Sequence, residues 1–296
     1  MKRGGDRLRV YRLEDVPLRE VSGICLRRGP RGELTLLALG DRAATAAWFV
    51  QPGDDMSPVE WQAVDLTGFE GTRIPADDPQ IEAVCADGTG RVLLLQEWPP
   101  RTELIDAGTR RVAASIALEV PGGDAIARSW ADPRSSHGEG AVFLPGGHLL
   151  IAKEKDPPVL LEFGPPGDLP IGFSRGGGLA PGDAWAIEPG EHRYVRLAAW
   201  SPDKVLAKAC SDFSDLEIGP DGHLYLLSDQ SASIARLADL RADGSTVSAT
   251  ATWRLGDLAG KPEGLAFTQN GRAIVGLDTR KARQNLVLFE PPIASA

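Results

Sequence analysis

One repeating pattern constrains the fold of this chain more than any other feature of its sequence. Five times, a short apolar segment is followed by a turn and by a second apolar segment that ends on a carboxylate. The repeats start at Ser22, Glu82, Glu139, Ser214 and Glu263. The closing acids are Asp41, Glu97, Glu154, Asp229 and Asp278. The acid follows the start by 15 residues in four copies, while an insertion around residues 27–32 lengthens the first. An internal repeat of this kind predicts an architecture of stacked units.

Each repeat reads as two adjacent antiparallel strands. The predicted first strands are Val21–Leu26, Ile81–Ala86, Gly140–Leu144, Phe213–Ile218 and Gly264–Phe267. Glycine-rich turn signals follow four of them, at residues 87–90, 145–147, 220–222 and 269–271, and such residues supply the positive φ of tight hairpins. The second strands are almost continuously apolar, which is typical of strands covered on both faces. Less regular segments downstream predict a third and a fourth strand in each unit.

The two ends of the chain suggest how the repeats are closed. The fifth repeat runs out at residue 290, before a fourth strand, and an N-terminal strand at residues 8–13 has no partner in sequence. Pairing these two segments would remove an exposed sheet edge. We therefore predict an all-β fold: a five-bladed β-propeller of four-stranded antiparallel blades, forming a single domain over residues 1–296. A six-bladed propeller, with a degenerate blade between Glu139 and Ser214, is the main alternative.

A long insertion interrupts the third interval. Residues 164–191 hold clusters of glycine and proline and no clear strand. Structureless segments of this length are uncommon in compact domains and are often functional or mobile. Two interpretations stay open: a lid over one face of the propeller, or a disordered decoration.

The repeat also predicts where the acids meet. The start of a first strand and the end of the antiparallel second strand lie at the same face, so eight carboxylates should share one mouth of the central channel. The set is Asp41, Glu82, Glu97, Glu139, Glu154, Asp229, Glu263 and Asp278. Oxygen ligands without matching histidine or cysteine favour a hard cation, and Ca²⁺ suits them better than zinc, although another divalent cation would also fit. Three further acids of the fourth repeat, Asp212, Asp215 and Glu217, are expected to crowd the same rim.

The sequence leaves alternatives to a metal site open. An acid at the end of a strand often accepts hydrogen bonds from the next turn. Arg42 and Lys153 follow or precede closing acids and could form ion pairs with the ring, which would leave a metal-free scaffold. Trp98 could floor a ligand pocket, so Arg42, Trp98 and Lys153 are the candidate ligand-binding residues. His137 should reach the same mouth and, with Lys153, is a weak candidate for proton transfer.

Composition narrows the classes of partner. A net charge of −9 and a pI near 5.1 disfavour nucleic acid and anionic membranes. No apolar run approaches the roughly 20 residues of a membrane helix, and no apolar stretch follows the basic N-terminus, so we expect a cytoplasmic protein. Three scattered cysteines do not form a disulfide framework, and Cys25 and Cys85 read as small buried thiols.

The motifs resemble those of the SdiA-regulated family of bacterial β-propellers, which is distantly related to proteins with NHL repeats. The resemblance rests on Glu20-Val-Ser-Gly-Ile, His137-Gly-Glu-Gly-Ala, Asp212-Phe-Ser-Asp-Leu and Lys261-Pro-Glu-Gly-Leu, with acids in forms such as Leu227-Ser-Asp-Gln. It implies a five-bladed propeller with a calcium site and no established activity. Glu82-Ala, Ser214-Asp and the insertion after Phe163 depart from the family pattern. A weaker similarity runs to gluconolactonase-like and phytase/esterase-like propellers.

Two functions follow as hypotheses. The first is a calcium-binding propeller that presents its acidic channel mouth to a small molecule or a protein. The second is a divalent-cation-dependent hydrolase of a lactone, ester or phosphoester, in which the cation lowers the pKa of a bound water. No nucleophile elbow, P-loop, dinucleotide fingerprint or zinc-protease motif occurs in the sequence.

Overall fold

The structure, a computed structural model, describes residues 6–28, 34–51 and 61–295, with the backbone alone for Arg28 and residues 48–51. Strands hold 48% of the residues and helices 7%, so the all-β prediction is confirmed. The helices are short: α1 (Ala125–Trp130), α2 (Lys204–Ala209) and the 3-10 turns Leu66–Gly68 and Pro145–Gly147. In the described ranges no helix is long and apolar enough to cross a membrane. The insertion predicted in the first repeat falls partly on residues 29–33, outside the described residues.

The strands pair in sets of four, which we number as units 1 to 5. Two short N-terminal strands come first: β1 (Asp6–Arg7) and β2 (Arg9–Glu14). Unit 1 contains β3 (Val21–Arg28), β4 (Leu34–Gly40), β5 (Ala43–Gln51) and β6 (Gln62–Asp65). Unit 2 contains β7 (Ile81–Ala86), β8 (Val92–Gln96), β9 (Arg101–Asp106) and β10 (Arg111–Glu119). Unit 3 contains β11 (Gly138–Phe143), β12 (Leu149–Lys153), β13 (Val159–Gly164) and β14 (Gly190–Pro202).

Units 4 and 5 complete the set. Unit 4 contains β15 (Asp215–Ile218), β16 (Leu224–Ser228), β17 (Ser233–Leu237) and β19 (Ala249–Arg254), while β18 (Thr246–Val247) pairs with the end of β14. Unit 5 contains β20 (Lys261–Phe267), β21 (Ala273–Asp278), β22 (Leu286–Glu290) and, as its fourth strand, β2. The pairing of β2 with β22 is antiparallel, with Arg9 opposite Glu290 and Glu14 opposite Leu286. β1 adds in parallel to β19 of unit 4.

Apolar side chains on both faces of each unit explain how the units stack. Along β4, Leu36 and Ala38 enter the hydrophobic cluster shared with unit 5, while Leu37 and Leu39 enter the cluster shared with unit 2. Successive side chains of a strand point to opposite faces, so a continuous apolar strand fills two cores at once. Further clusters join units 2 and 3, 3 and 4, and 4 and 5.

The five first strands pack side by side. β3 contacts β7, β7 contacts β11, β11 contacts β15, β15 contacts β20, and β20 contacts β3. Two hydrogen bonds cross between units here: Ser22 Oγ donates to the carbonyl of Ile81 at 2.6 Å, and Leu265 N donates to Asp215 Oδ2 at 2.6 Å. Such links fix the distance between neighbouring first strands, and so the width of the space that their ends enclose.

The insertion at residues 164–191 packs against the turns at one end of the units. Phe173 exchanges backbone hydrogen bonds with Leu240, and Gly182 N donates to the carbonyl of Gly88 at 2.8 Å. Trp185 is buried, with its N–H donating to Asp87 Oδ2 at 3.1 Å and its indole N–H to the carbonyl of His148 at 3.0 Å. These contacts lie at the end of the first strands opposite the closing acids.

Candidate functional site

The acids that end the second strands gather with the first-strand glutamates around one cavity of about 490 Å³, which we call the acidic mouth. Seven of the eight candidate metal ligands line it: Asp41, Glu82, Glu97, Glu139, Glu154, Glu263 and Asp278. Asp229 does not line the cavity; its Oδ2 lies 3.9 Å from Lys261 Nζ, and its N–H donates to Ser214 Oγ at 2.9 Å. The antiparallel hairpins account for this grouping, since each brings a strand start and a strand end to the same side.

Three charged residues of the acidic mouth were not among the predicted site residues. Glu20 adds an eighth carboxylate, and Lys155 and Lys261 join Arg42 as the basic side chains of the lining. Lys155 Nζ lies 2.7 Å from Glu154 Oε1, whereas Arg42 Nε lies 3.4 Å from Asp41 Oδ2. Eight carboxylates against three basic groups leave an excess of negative charge among the described lining residues. Lys155 directly follows the repeat acid Glu154, Lys261 precedes Glu263 by two residues, and Glu20 precedes the repeat start Ser22 by two, which is the signal that sequence reasoning could have used.

The first-strand glutamates are the most perturbed groups of the mouth. Burial, followed by repulsion from Asp41, raises the pKa of Glu82 well above its ordinary value. Burial and then repulsion from Glu82 raise the pKa of Glu139 in the same direction. Burial raises the pKa of Glu263 to about 8. Burial and mutual repulsion both favour the protonated form of these carboxyl groups, so near neutral pH this mouth holds protons in place of part of its charge.

His137 does not open into the acidic mouth as expected. Its side chain is 1% exposed, and its Nε2 donates to the carbonyl of Trp130 at 3.1 Å. Its Nδ1 lies 3.8 Å from Glu97 Oε1 and has no hydrogen-bond partner among the described residues. The Trp98 ring packs 5.1 Å from the imidazole. The expectation for His137 is therefore wrong, because the ring is packed under Glu97 between two tryptophans. Trp98 supports that packing and does not line the cavity.

Lys153 is also outside the lining. Its side chain is fully buried, and its ammonium donates to the carbonyl of Lys155. Burial lowers the pKa of Lys153 to about 8, against the opposing effects of Asp156, Glu154 and Glu139. The amine therefore interacts electrostatically with Glu139 and Glu154 of the acidic mouth, but it is not open to a ligand there.

The extra acids of the fourth repeat do not crowd the rim, which corrects that expectation. Asp212 is buried and accepts hydrogen bonds from Ser228 Oγ and Gln230 N. Asp215 accepts from Leu216 N and Leu265 N, as a link between units. Glu217 lines a different cavity, at the other end of the first strands.

The spacing of the carboxylates bears directly on metal binding. Among the residues that the structure describes, no three carboxylate, histidine or cysteine side chains converge on a ready metal site. The donors of the acidic mouth match a hard cation in kind, since they are oxygen atoms. Among the described residues they do not form a closed chelate.

Comparisons with known proteins address the fold. No protein-family model matches the chain, and no curated protein matches it. Among solved structures, the glutaminyl cyclase of Myxococcus xanthus aligns over 97% of this chain and 98% of its own, with 12% identity and a TM-score of 0.53. The PQQ-bound aldose sugar dehydrogenase of Streptomyces coelicolor aligns over 95% and 97%, with 13% identity and a TM-score of 0.50. Regucalcin of Agrobacterium tumefaciens aligns over 96% and 94%, with 11% identity and a TM-score of 0.50. At these identities the likeness concerns the fold alone, which is β-propeller-like.

Proposed function

We propose that this chain is a five-bladed β-propeller closed by β2, and that its acidic mouth binds a divalent cation, Ca²⁺ first among them. The blade count is supported by the cyclic contacts of β3, β7, β11, β15 and β20. The interval that could have hidden a sixth blade holds unit 3, the insertion and α2. The proposed membership of the SdiA-regulated family rests on the sequence motifs.

One observation carries the cation proposal: Glu82, Glu139 and Glu263 lie at the starts of β7, β11 and β20 and line one cavity, with half-buried side chains whose pKa values are raised. Burying carboxylates is costly unless protons or cations neutralise them. The neighbour regucalcin is described as a calcium-binding protein, which agrees with the proposal.

Glu82, Glu139 and Glu263 would hold the ion, with water completing its shell. Ca²⁺ accepts about 6–8 oxygen ligands in flexible geometry and so tolerates carboxylates that are not yet converged. A bound cation would supply a positive charge able to attract an oxygen of a further ligand. The cavity of about 490 Å³ leaves room for a small molecule or for a side chain of a protein partner beside that ion.

Calorimetric titration with CaCl₂ after treatment with EDTA tests the proposal. We expect binding to release protons, because Glu82, Glu139 and Glu263 must ionise to bind the ion, so the measured enthalpy should change with the ionisation enthalpy of the buffer. Glu139→Gln should weaken binding about tenfold or more, since ligand charge sets calcium affinity. Glu188→Gln, at an exposed glutamate outside the cavity, is the matched control.

A melting experiment gives an independent measure. An ion bound only to the folded state stabilises it by about 2.7 kcal/mol at a concentration one hundred times its Kd. If neither CaCl₂ nor MgCl₂ changes the midpoint of unfolding, and the calorimeter detects no binding, the cation proposal is wrong.

A hydrolase at the same mouth is the second candidate. The observation in its favour is the cavity of about 490 Å³, which leaves room for a substrate beside a bound cation, although Lys153 is not open to that space. Turnover of lactones, aryl esters or phosphoesters that depends on added cation and is lost in Glu139→Gln would favour it. Cation binding without turnover of any of these substrates would favour the binding protein.

A further inference from the structure

A second cavity, of about 520 Å³, lies at the opposite end of the first strands, and we call it the far cavity. Residues in the second half of β3 (Cys25 and Leu26) and at the ends of β7, β11 and β15 line it. Residues 176–181 of the insertion, the cover segment, form another side of it. Hydrogen bonds attach the cover segment and the residue after it to the turns of units 4 and 2: Gly176 N donates to Gly222 O at 2.8 Å, and Gly182 N donates to Gly88 O at 2.8 Å.

The lining of the far cavity is largely apolar, with one exception. Leu26, Phe143, Leu179 and Ile218 contribute apolar surface, and Glu217 is the single charged side chain among the described lining residues. Glu217 also lines an adjoining cavity of about 200 Å³ that shares Leu26, Ile218 and Pro220 with the first. Glu217 therefore lines both cavities.

Glu217 is the one charged residue at its position of the repeat. The equivalent position, three residues after each repeat start, holds Cys25, Cys85, Val142 and Ala266 in the other units. The stacking of the units thus needs only a small or apolar side chain here, and a half-buried carboxyl group such as that of Glu217 costs free energy unless it is paired. Glu217 Oε1 accepts a hydrogen bond from Ile218 N at 2.9 Å, and no other described group bonds to its side chain.

We propose that the far cavity binds a small amphiphilic amine, whose ammonium group pairs with Glu217 and whose apolar part packs on Leu26, Phe143 and Leu179. A single carboxyl group in a lining without described Lys or Arg selects a cation and repels an anion. The apolar walls select a hydrocarbon body over a hydrated metal ion or a polyamine. An alkylamine has a pKa near that of lysine, about 10.4, and stays charged at neutral pH.

The acidic mouth also attracts cations, so the apolar body of the ligand must distinguish the two sites. Almost no apolar surface lines the acidic mouth, whose carboxylates would hold methylamine and hexylamine alike. In the far cavity each added methylene should raise affinity about threefold to fourfold until the space is filled. A series from methylamine to hexylamine therefore reports on the far cavity alone.

The pH dependence gives a second signature. Burial raises the pKa of Glu217 to about 8, and the titratable groups that face it are Cys25, Cys85 and Asp215. Pairing with an ammonium requires Glu217 to ionise, so hexylamine affinity should rise about tenfold per pH unit below pH 8 and level off above it. 1-Hexanol, which has the tail without the charge, should show no such dependence.

Calorimetric titrations of hexylamine, methylamine and 1-hexanol into the full chain in EDTA carry the test. We expect Glu217→Gln to lose at least tenfold in hexylamine affinity and to lose the pH dependence, with hexanol binding unchanged. Leu179→Ala, in the partly exposed cover segment, should lose about threefold to tenfold for hexylamine and nothing for methylamine. This second variant keeps the test decisive if Glu217→Gln does not fold.

Glu139→Gln separates this proposal from the one for the acidic mouth. It should leave hexylamine binding intact even where it abolishes cation binding. If Glu139→Gln instead removes the amine, or if Glu217→Gln binds hexylamine as tightly as the natural chain, the ligand does not lie in the far cavity and the proposal is wrong. Equal affinity for hexylamine and hexanoate would overturn it as well.

Discussion

Replacing Glu263 with glutamine removes from the acidic mouth a carboxyl group whose pKa rises from an ordinary 4.5 to about 8. The largest cause is burial, and Asp229 adds repulsion. The side chain is 21% exposed, so water screens this group only in part. Between the two pKa values the folded chain binds more protons than the unfolded chain. Stability contributed by this group is therefore fully present below pH 4.5 and is lost as pH rises through 8.

The size of the effect follows from those two values. With an unfolded pKa of 4.5 and a folded pKa of about 8, linkage gives a loss of about 4 kcal/mol in the free energy of unfolding between pH 5 and pH 9. At pH 7 the loss relative to acid is about 3 kcal/mol. Glutamine keeps the shape of the side chain and does not titrate. Glu263→Gln should therefore be more stable than the natural chain at pH 7 to 9 and nearly equal at pH 4.5.

Urea denaturation in EDTA at pH 5, 7 and 9 measures this difference, with Glu188→Gln as the exposed control. The informative quantity is the free energy of unfolding of Glu263→Gln minus that of the natural chain at each pH, since titrating groups that do not interact with Glu263 cancel in it. Added CaCl₂ should reduce the difference at pH 9, because a cation neutralises the carboxylate that glutamine replaces. A difference that stays constant from pH 5 to pH 9 would refute the reasoning.

Three further predictions concern contacts outside the acidic mouth. Asp87→Ala should cost about 2–4 kcal/mol of unfolding free energy and speed proteolysis of the insertion. The Asp87 carboxylate accepts the backbone N–H of Trp185, a buried residue of the insertion, and pairs with Arg91. Asp106→Ala, at a turn residue, is the control. Gly140→Ala should cost about 1–3 kcal/mol in the same assay, because a Cβ there would lie 2.5 Å from a backbone nitrogen of unit 4, whereas Gly123→Ala meets nothing within 4 Å. Lys153→Met should stabilise the chain by up to about 3 kcal/mol at pH 7 and remove a rise in stability between pH 8 and pH 10.5, since burial lowers the pKa of that amine from 10.5 to about 8. No gain in Lys153→Met at pH 7 would mean that its charge is better paired than its burial indicates.

Much of the fold could be predicted from the sequence, because the same strand–turn–strand pattern recurs in five copies and each copy supports the assignment of the others. The predicted first strand Ile81–Ala86 has the observed bounds, and the N-terminal strand predicted at 8–13 is found at Arg9–Glu14. The parallel pairing of β10 with β14, which joins units 2 and 3 at their outer strands, was not predicted. It brings together segments more than 70 residues apart, and neither segment carries a local signal for the other.

The site was predicted less evenly than the fold. The hairpin rule brought seven of eight acids to one cavity, because it depends only on strand direction. The burial of His137 was not predicted, because the residues beside it in the sequence do not indicate that Trp98 and Trp130 pack against it. Glu217 was assigned to the wrong end, although its position three residues after Ser214 already placed it further along the strand.

Local residue order sets the periodicity of this chain, because strand length, turn chemistry and the register of the acids all follow from it. Which side chains are open to a ligand depends on the tertiary structure, because exposure follows from the packing of units that are distant in the chain. The two ends of the first strands show this difference. Carboxylates gather at one end by repetition, while at the other a single glutamate lines a cavity made from four strands and an insertion.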